Sequence, residues 1–489
     1  MIIEIGFVLS MVLGGSALIQ VAGARGLGVP ILGSVAGLSL YLCIGAVQVL
    51  TPITTSPILT VILVVTLPGA LWLWRRFHGA HLPISPLWAG IVIAGVTSAV
   101  ALFRALPQFA WSNDSLQYLL SGSLIASNNI TNASIFLLPK RLIAVPELHA
   151  VANFGDEYYV QSITPLIAGL VLALLSWMLW ESLSTHLSKR ALIVLIGGGV
   201  LFLVSMNRFI FHAFYINGHM LFALLMLVVV GGGWMLVSND SVSKNALVTA
   251  MVLSVGALVF VRAESPILVL LMILPILLDR SVNYLPKVIL LATLGLSTIA
   301  WQIFIAAVYL DQGLSVVFSV WGLLAFGILV LAAIPLLKWS FIMKRGRVIL
   351  VLVHAILWLG LLVLFVREPE ILIRSVSSTF ENVVLGAGSW GLSLILIVVL
   401  LLIASFIPLK NSVNLRFPLT SFIPLAFLLA YLRDGAYRVG DGDSLNRMWI
   451  QLVPVALMYL LVTVAIGERR RRSAATSNIQ TTASKHVAK

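Results

Sequence analysis

Apolar runs of about 15 to 25 residues recur from end to end of the 489-residue chain, each long enough or nearly long enough to cross roughly 30 Å of hydrocarbon as a helix. In lipid every backbone N–H and C=O must find its partner within the protein, and an unbroken apolar run achieves this by coiling. Composition agrees: 60% of the residues are hydrophobic and 10% are charged, whereas an ordinary soluble domain carries about 25% charged residues. The solvated surface of a water-soluble chain is missing. The expected fold is therefore all-α, a polytopic helical membrane protein.

Fifteen transmembrane helices are read, at 5–23, 28–50, 56–74, 87–106, 160–182, 191–207, 218–237, 246–261, 265–279, 287–309, 315–336, 348–366, 390–408, 417–432 and 448–466. The eighth and ninth are short, and with Pro266 beside Arg262-Ala263-Glu264 they also read as one hairpin that does not cross fully. When alternate loops are assigned to opposite sides, one side holds 20 of the 30 Lys and Arg residues with 4 acids, and the other 10 cations with 13 acids. The cation excess makes the first side cytoplasmic. In the cell membrane the N-terminus is then outside, and the tail with Arg469 to Arg472 is inside. That tail, 467–489, is basic and Ser/Thr-rich, and its composition predicts disorder.

The same features exclude several classes. The single Cys43, inside an apolar run, rules out an intrachain disulfide, a Cys-based zinc site and a thiol relay. A net charge of +13 could suggest nucleic acid, but the cations sit in short loops between spans and carry topology instead. Met1-Ile2-Ile3-Glu4 has no basic region, so the first apolar run reads as a retained span.

Candidate chemistry gathers on the external side. Residues 107–159 form a large external loop, and long loops in compact proteins are usually functional. Leu116, Leu119, Leu120 and Leu124 fall at helical spacing, which predicts an amphipathic surface helix capped by Ser112, Asn113 or Asp114. A carboxylate there is held ionised by the helix dipole, so Asp114 reads either as the cap or as a general base. The same loop contains Lys140, Arg141, His149, Asp156, Glu157, Tyr158 and Tyr159, where acids and aromatic rings suit either a sugar or an interfacial belt. Three more polar clusters map to this side: Asn207, Arg208, His212, Tyr215, Asn217 and His219; Arg262 with Glu264; and Arg433, Asp434, Arg438, Asp441, Asp443 and Arg447. Arg262 and Glu264 read either as a functional pair or as one that only satisfies itself. Asp441-Gly442-Asp443 could hold a divalent cation through hard oxygen ligands or form a solvated turn.

The order of these features resembles the GT-C superfamily of polytopic glycosyltransferases. The resemblance rests on Asp114 in Ser112-Asn113-Asp114-Ser115-Leu116-Gln117-Tyr118, then Tyr215-Ile216-Asn217-Gly218-His219, Phe260-Val261-Arg262-Ala263-Glu264-Ser265-Pro266, and Asn446-Arg447-Met448 before the last span. It covers roughly 87–466. Three spans at 1–80 precede the matching part and depart from the superfamily as an N-terminal extension; 81–466 is then the catalytic region, and 467–489 the cytoplasmic tail read from the cation bias. It further implies transfer of a sugar from a polyprenyl-phosphate carrier to a glycan, lipid or protein hydroxyl on the external face. Asp114 would then be the base, with Asp156 or Glu157 as a second acid. Arg262 and Arg447 would hold the donor phosphate, with Lys140 and Arg141 in reserve. Tyr118, His149, Tyr158, Asn217, His219 and Glu264 would line the sugar site. No cofactor is assigned, a divalent cation being the one candidate, and membrane lipid rather than nucleic acid is the expected surrounding. Two other classes remain open: a transporter or flippase of a lipid-linked sugar, and a surface-polysaccharide polymerase or ligase.

Overall fold

The computed structural model describes residues 2–51, 55–92, 95, 113–129, 142–155, 159–239, 241–407, 409 and 411–487. Among them all regular structure is helical. In chain order the α-helices are α1 (Ile2–Val21), α2 (Gly28–Leu50), α3 (Pro57–Phe77), α4 (Asn113–Ala126), α5 (Ala144–Ala150), α6 (Ile163–Leu183), α7 (Lys189–Ser205), α8 (Asn207–Phe214), α9 (Gly218–Ser238) and α10 (Lys244–Val259). There follow α11 (Ser265–Leu278), α12 (Tyr284–Asp311), α13 (Phe318–Ala332), α14 (Ser340–Lys344), α15 (Gly346–Arg367), α16 (Pro369–Val383), α17 (Ser393–Ser405), α18 (Val413–Leu432) and α19 (Ser444–Val487). Short 3₁₀ turns follow α5 and α13.

Ten helices among the described residues are long and apolar enough to cross a bilayer, or eleven if α7 and α8, which meet at a 72° bend, count as one span. The chain is a multi-pass helical membrane protein. Length alone thus supports fewer crossings than the fifteen expected, because α10, α11 and α17 have only 16, 14 and 13 residues. Of the expected span at 87–106 only 87–92 and 95 are among the described residues, and they are helical. α19 continues to Val487. No Gly or Pro interrupts 468–487, and its Arg and Ala residues favour the helix once the last span has nucleated it.

Glycine lets the first helices meet backbone to backbone. A Cβ on Gly15 of α1 would lie 1.9 Å from the Gly33 carbonyl of α2, and one on Gly14 would lie 1.9 Å from the Val64 carbonyl of α3. Small residues at this spacing are how helices approach closely where lipid removes the usual hydrophobic drive. α2 then packs against α10 and α6, while α9, buried from Gly218 to Leu236, runs through the middle of the bundle. The outer faces of α12, α13, α15 and α17 stay exposed and apolar, as with Leu296, Leu329, Leu359 and Leu402.

The connections fall into two groups held by hydrogen bonds. In one, Ser243 Oγ donates to the Ala22 carbonyl (2.8 Å), Asn239 Nδ2 to Glu181 (3.0 Å), Gln20 Nε2 to Pro83 (2.7 Å) and Arg280 Nε to Met343 (3.0 Å). In the other, Thr55 Oγ1 donates to the Ile125 carbonyl (2.8 Å), Ser115 Oγ to Ile216 (3.1 Å), the Ala144 amide to Phe260 (3.0 Å) and Asn382 Nδ2 to Arg438 (2.9 Å). α9 runs from the Ile216 end of the second group to Asn239 of the first, and α10 from Ser243 of the first to Phe260 of the second.

Candidate functional site

The second group of connections gathers most of the described candidate residues. Asp114 stands in the first turn of α4, where the helix dipole favours a carboxylate. Its Oδ2 accepts from Arg447 Nη1 at 2.7 Å, a contact between residues 333 positions apart. Arg447 Nη1 also reaches the Tyr215 hydroxyl at 3.2 Å, while Nη2 donates to the Gly442 carbonyl (3.1 Å) and Nε to the Asp443 carbonyl (3.3 Å). The guanidinium is thus aimed at Asp114 by the loop before α19. Asp443 shapes that loop: Oδ2 accepts from the Asn446 amide (2.7 Å), a helix cap, and Oδ1 from the Arg438 amide (2.8 Å). Burial raises the Asp443 carboxyl above its usual range despite those bonds.

A second pair lies alongside. Arg262 Nε donates to Glu264 Oε1 at 2.5 Å, and Arg433 Nη2 stands 3.9 Å from the same oxygen. Burial pushes the Glu264 carboxyl upward, but Arg262 and Arg433 outweigh it and hold the group below the ordinary carboxylate value. Tyr118 and Tyr437 approach closely enough to act on the Arg262 charge. Arg262 Nη1 lies 3.1 Å from His219 Nε2, and the Gln451 side-chain amide is 2.9 Å from His219 Nδ1. A neutral imidazole offers one donor and one acceptor. The nearer amide atom is Gln451 Nε2; with the amide turned over so that Oε1 faces Nδ1–H, His219 Nε2 is left to accept from Arg262. Asn217, expected to touch sugar, caps α9 by accepting from the His219 amide at 2.9 Å.

A third contact closes the cluster. Arg208 of α8 is 1% exposed; its Nη2 meets Asp441 Oδ1 at 2.6 Å and its Nε donates to the Gly388 carbonyl. His212, one turn on, is equally buried and stacks edge-on with His219, ring centroids 5.5 Å apart. Asp441 thus accepts from Arg208 and Ser389, and Asp443 from two backbone amides, so their spacing serves an ion pair and a helix cap. Among the described residues no three His, Cys, Asp or Glu side chains converge as a metal site.

Asp114, Tyr118, Asn217, His219, Arg262, Glu264 and Arg447 therefore share one site. Lys140, Arg141, Asp156, Glu157 and Tyr158 lie outside the described residues. His149 is buried in α5, where Nδ1 accepts from the Val160 amide at 3.2 Å, and burial drives its pKa down to about 3. It is committed to the backbone. The α4 leucines divide: Leu116 and Leu120 face outward, whereas Ser115, Tyr118, Ser121 and Ile125 face the protein.

Sequence reasoning passed over Glu147. This residue of α5 is 2% exposed, and its Oε2 has no hydrogen-bond partner among the described residues. A Cβ on Gly45 of α2 would come within 2.7 Å of the Glu147 carboxyl carbon, so glycine there makes room for the acid. Burial raises its pKa to about 7. The available signal was one acid inside the apolar stretch Ala144-Val145-Pro146-Glu147-Leu148.

Compared with models of known protein families, with curated proteins and with solved structures, the chain has no match.

Proposed function

We propose that the chain is a membrane glycosyltransferase that moves a sugar from a polyprenyl-phosphate carrier to an acceptor hydroxyl at the external face. The observation that carries this reading is the 2.7 Å contact between Asp114 and Arg447. It joins the residue suited to take a proton to the residue suited to hold a phosphate, from opposite ends of the chain. In the reaction the acceptor oxygen attacks the anomeric carbon, the bond from that carbon to the phosphate oxygen breaks, and polyprenyl phosphate leaves. Asp114 takes the hydroxyl proton. Pairing with Arg447 and the start of α4 both favour its ionised form, as a base requires. Arg447 turns its fork to the leaving phosphate, whose growing charge it offsets. Arg262, neutralised by Glu264, fixes His219 and the charge of the surrounding wall. No step is routed through a metal.

The topology belongs to the same proposal. Fifteen crossings, with the N-terminus outside and the tail inside, are supported by the alternation of connections between two hydrogen-bonded groups and by the cation bias. α10 and α11, at 1.5 Å per residue, are about 24 and 21 Å long. Such short helices cross where surrounding protein shields their ends. A transporter would be expected to carry ionisable groups at mid-membrane on broken helices. Here the site's own charges, Asp114, Arg262, Glu264 and Arg447, stand at helix starts and in a connection between helices, which favours the transferase.

The test is sugar transfer by the purified protein in nanodiscs, with synthetic polyprenyl-phosphate sugars as donors and a panel of hydroxyl acceptors. Donor-dependent release of polyprenyl phosphate by the wild type, lost in Asp114→Asn, is the expected result. Movement of intact donor across liposomes, with no release of polyprenyl phosphate, would overturn the reading.

A further inference from the structure

α16 carries an inverted pattern. Its small polar residues face the protein: Ser375 is 0%, Ser378 7% and Asn382 1% exposed. Its large apolar residues face away, with Ile373 at 59%, Val376 at 49% and Phe380 at 53%. In water this arrangement exposes what should be buried.

At about 100° per residue the sequence resolves into four stripes, each about a quarter turn from the next. Ser375, Ser378 and Asn382, with the half-buried Ile371, form the inner stripe, and Ile373, Val376 and Phe380 the outer one. Between them on one edge run Glu370, Arg374, Ser377 and Glu381, and on the opposite edge Leu372, Thr379 and Val383. A charged edge opposite a mostly apolar edge, with an apolar face outward, is the pattern of a helix lying flat at a membrane surface beside the rest of its protein.

The helices before and after α16 in the chain also expose apolar side chains. Leu359 and Val366 of α15, and Leu396 and Leu402 of α17, are exposed in the same way. The inner stripe grips the loop that aims Arg447. Ser375 Oγ accepts from the Tyr437 amide (3.1 Å), Ser378 Oγ donates to the Tyr437 carbonyl (2.9 Å), Asn382 Nδ2 donates to the Arg438 carbonyl (2.9 Å), and Asn382 Oδ1 accepts from the Gly440 amide (2.7 Å).

We propose that α16 is an interfacial helix that rests on phospholipid through Ile373, Val376 and Phe380, and that through Ser375, Ser378 and Asn382 it holds the Arg447 loop at headgroup depth. The bilayer is then a working part of the site: it supports the helix that positions the loop. The proposal needs only a multi-pass membrane protein and does not depend on the transferase reading. It also explains why serines and an asparagine occupy the protein-facing side, since backbone amides and carbonyls of the loop need partners there.

The test uses single cysteines at 374, 376, 377 and 380 on a Cys43→Ser background, spin-labelled in phosphatidylcholine–phosphatidylglycerol nanodiscs. Labels at 376 and 380 should collide severalfold more with oxygen than with a water-soluble nickel chelate, and labels at 374 and 377 should show the reverse. Nickel access at 376 and 380 equal to that at 377 would overturn the lipid contact, as would shielding of both from either reagent, the mark of a protein partner. A label at the exposed Val439 reports the grip: Asn382→Ala should increase its mobility about twofold or more. An unchanged spectrum there would overturn the positioning role.

Discussion

Two of the site's arginine–carboxylate pairs, similar in length, are built in opposite ways. Arg262 and Glu264 are two residues apart in one loop, and Arg433 and His219 complete their surroundings. Asp114 and Arg447 come from α4 and α19, and only the packing of the bundle brings them together. The first pair is shut in, with side chains 13% and 12% exposed; in the second, Asp114 is 23% exposed beside Arg447 at 11%. A local pair is the cheapest way to neutralise a charge near membrane depth. A pair assembled across the fold, at a helix start and partly open, is where a substrate can exchange with the partner.

The sharpest way to break this contrast is Asp114→Asn, whose amide keeps the shape but cannot take a proton. Transfer should fall by about 10² to 10⁴ while the protein still elutes as a folded species. A wild-type rate would make Asp114 a cap only.

Glu147, a buried carboxylate with no arginine against it among the described residues, gives the next largest effect. Its pKa is raised from 4.5 to about 7 by burial, so the folded protein holds a proton that the unfolded chain releases. Its contribution is fully present below pH 4.5 and is lost as pH rises through about 7. The difference approaches about 3 kcal/mol at higher pH. Glu147→Gln should therefore raise the thermal midpoint at pH 8.5 and change it little at pH 4, as read by unfolding scans in detergent.

Arg447→Ala and Arg262→Ala set the two pairs against each other directly. Binding of a polyprenyl-phosphate sugar, followed by tryptophan fluorescence, should weaken by about 2 kcal/mol in Arg447→Ala, with partial recovery in Arg447→Lys for want of the planar fork. Arg262→Ala should weaken binding less and destabilise the fold more, because it leaves Glu264 buried with only a distant arginine. Equal binding losses would place both arginines on the phosphate.

The smallest effect is expected on the acid side. Glu264 is held below the ordinary carboxylate value, so its stabilisation is present above pH 4.5 and is lost as pH falls through its depressed folded value. Glu264→Gln should flatten that acid limb of the stability curve. An unchanged acid limb would mean that the Arg262 pair contributes nothing to folding.

The sequence by itself determined that this chain crosses a membrane repeatedly as helices, because apolar length and the need to satisfy every backbone group leave no alternative. It also marked Asp114, Arg262, Glu264 and Arg447, since charge is costly in such a setting and stands out against apolar surroundings. It could not say which charges meet. Contacts such as Asp114 with Arg447, Arg208 with Asp441, or Glu147 against Gly45 join residues far apart in the chain, and no periodicity encodes which helix lies beside which. The same limit applied to α16, whose Ser375, Ser378 and Asn382 look water-facing until the loop they bind is in place. Tertiary structure decided these questions because a polar side chain next to a membrane is placed by its partner, and the partner is supplied by the fold.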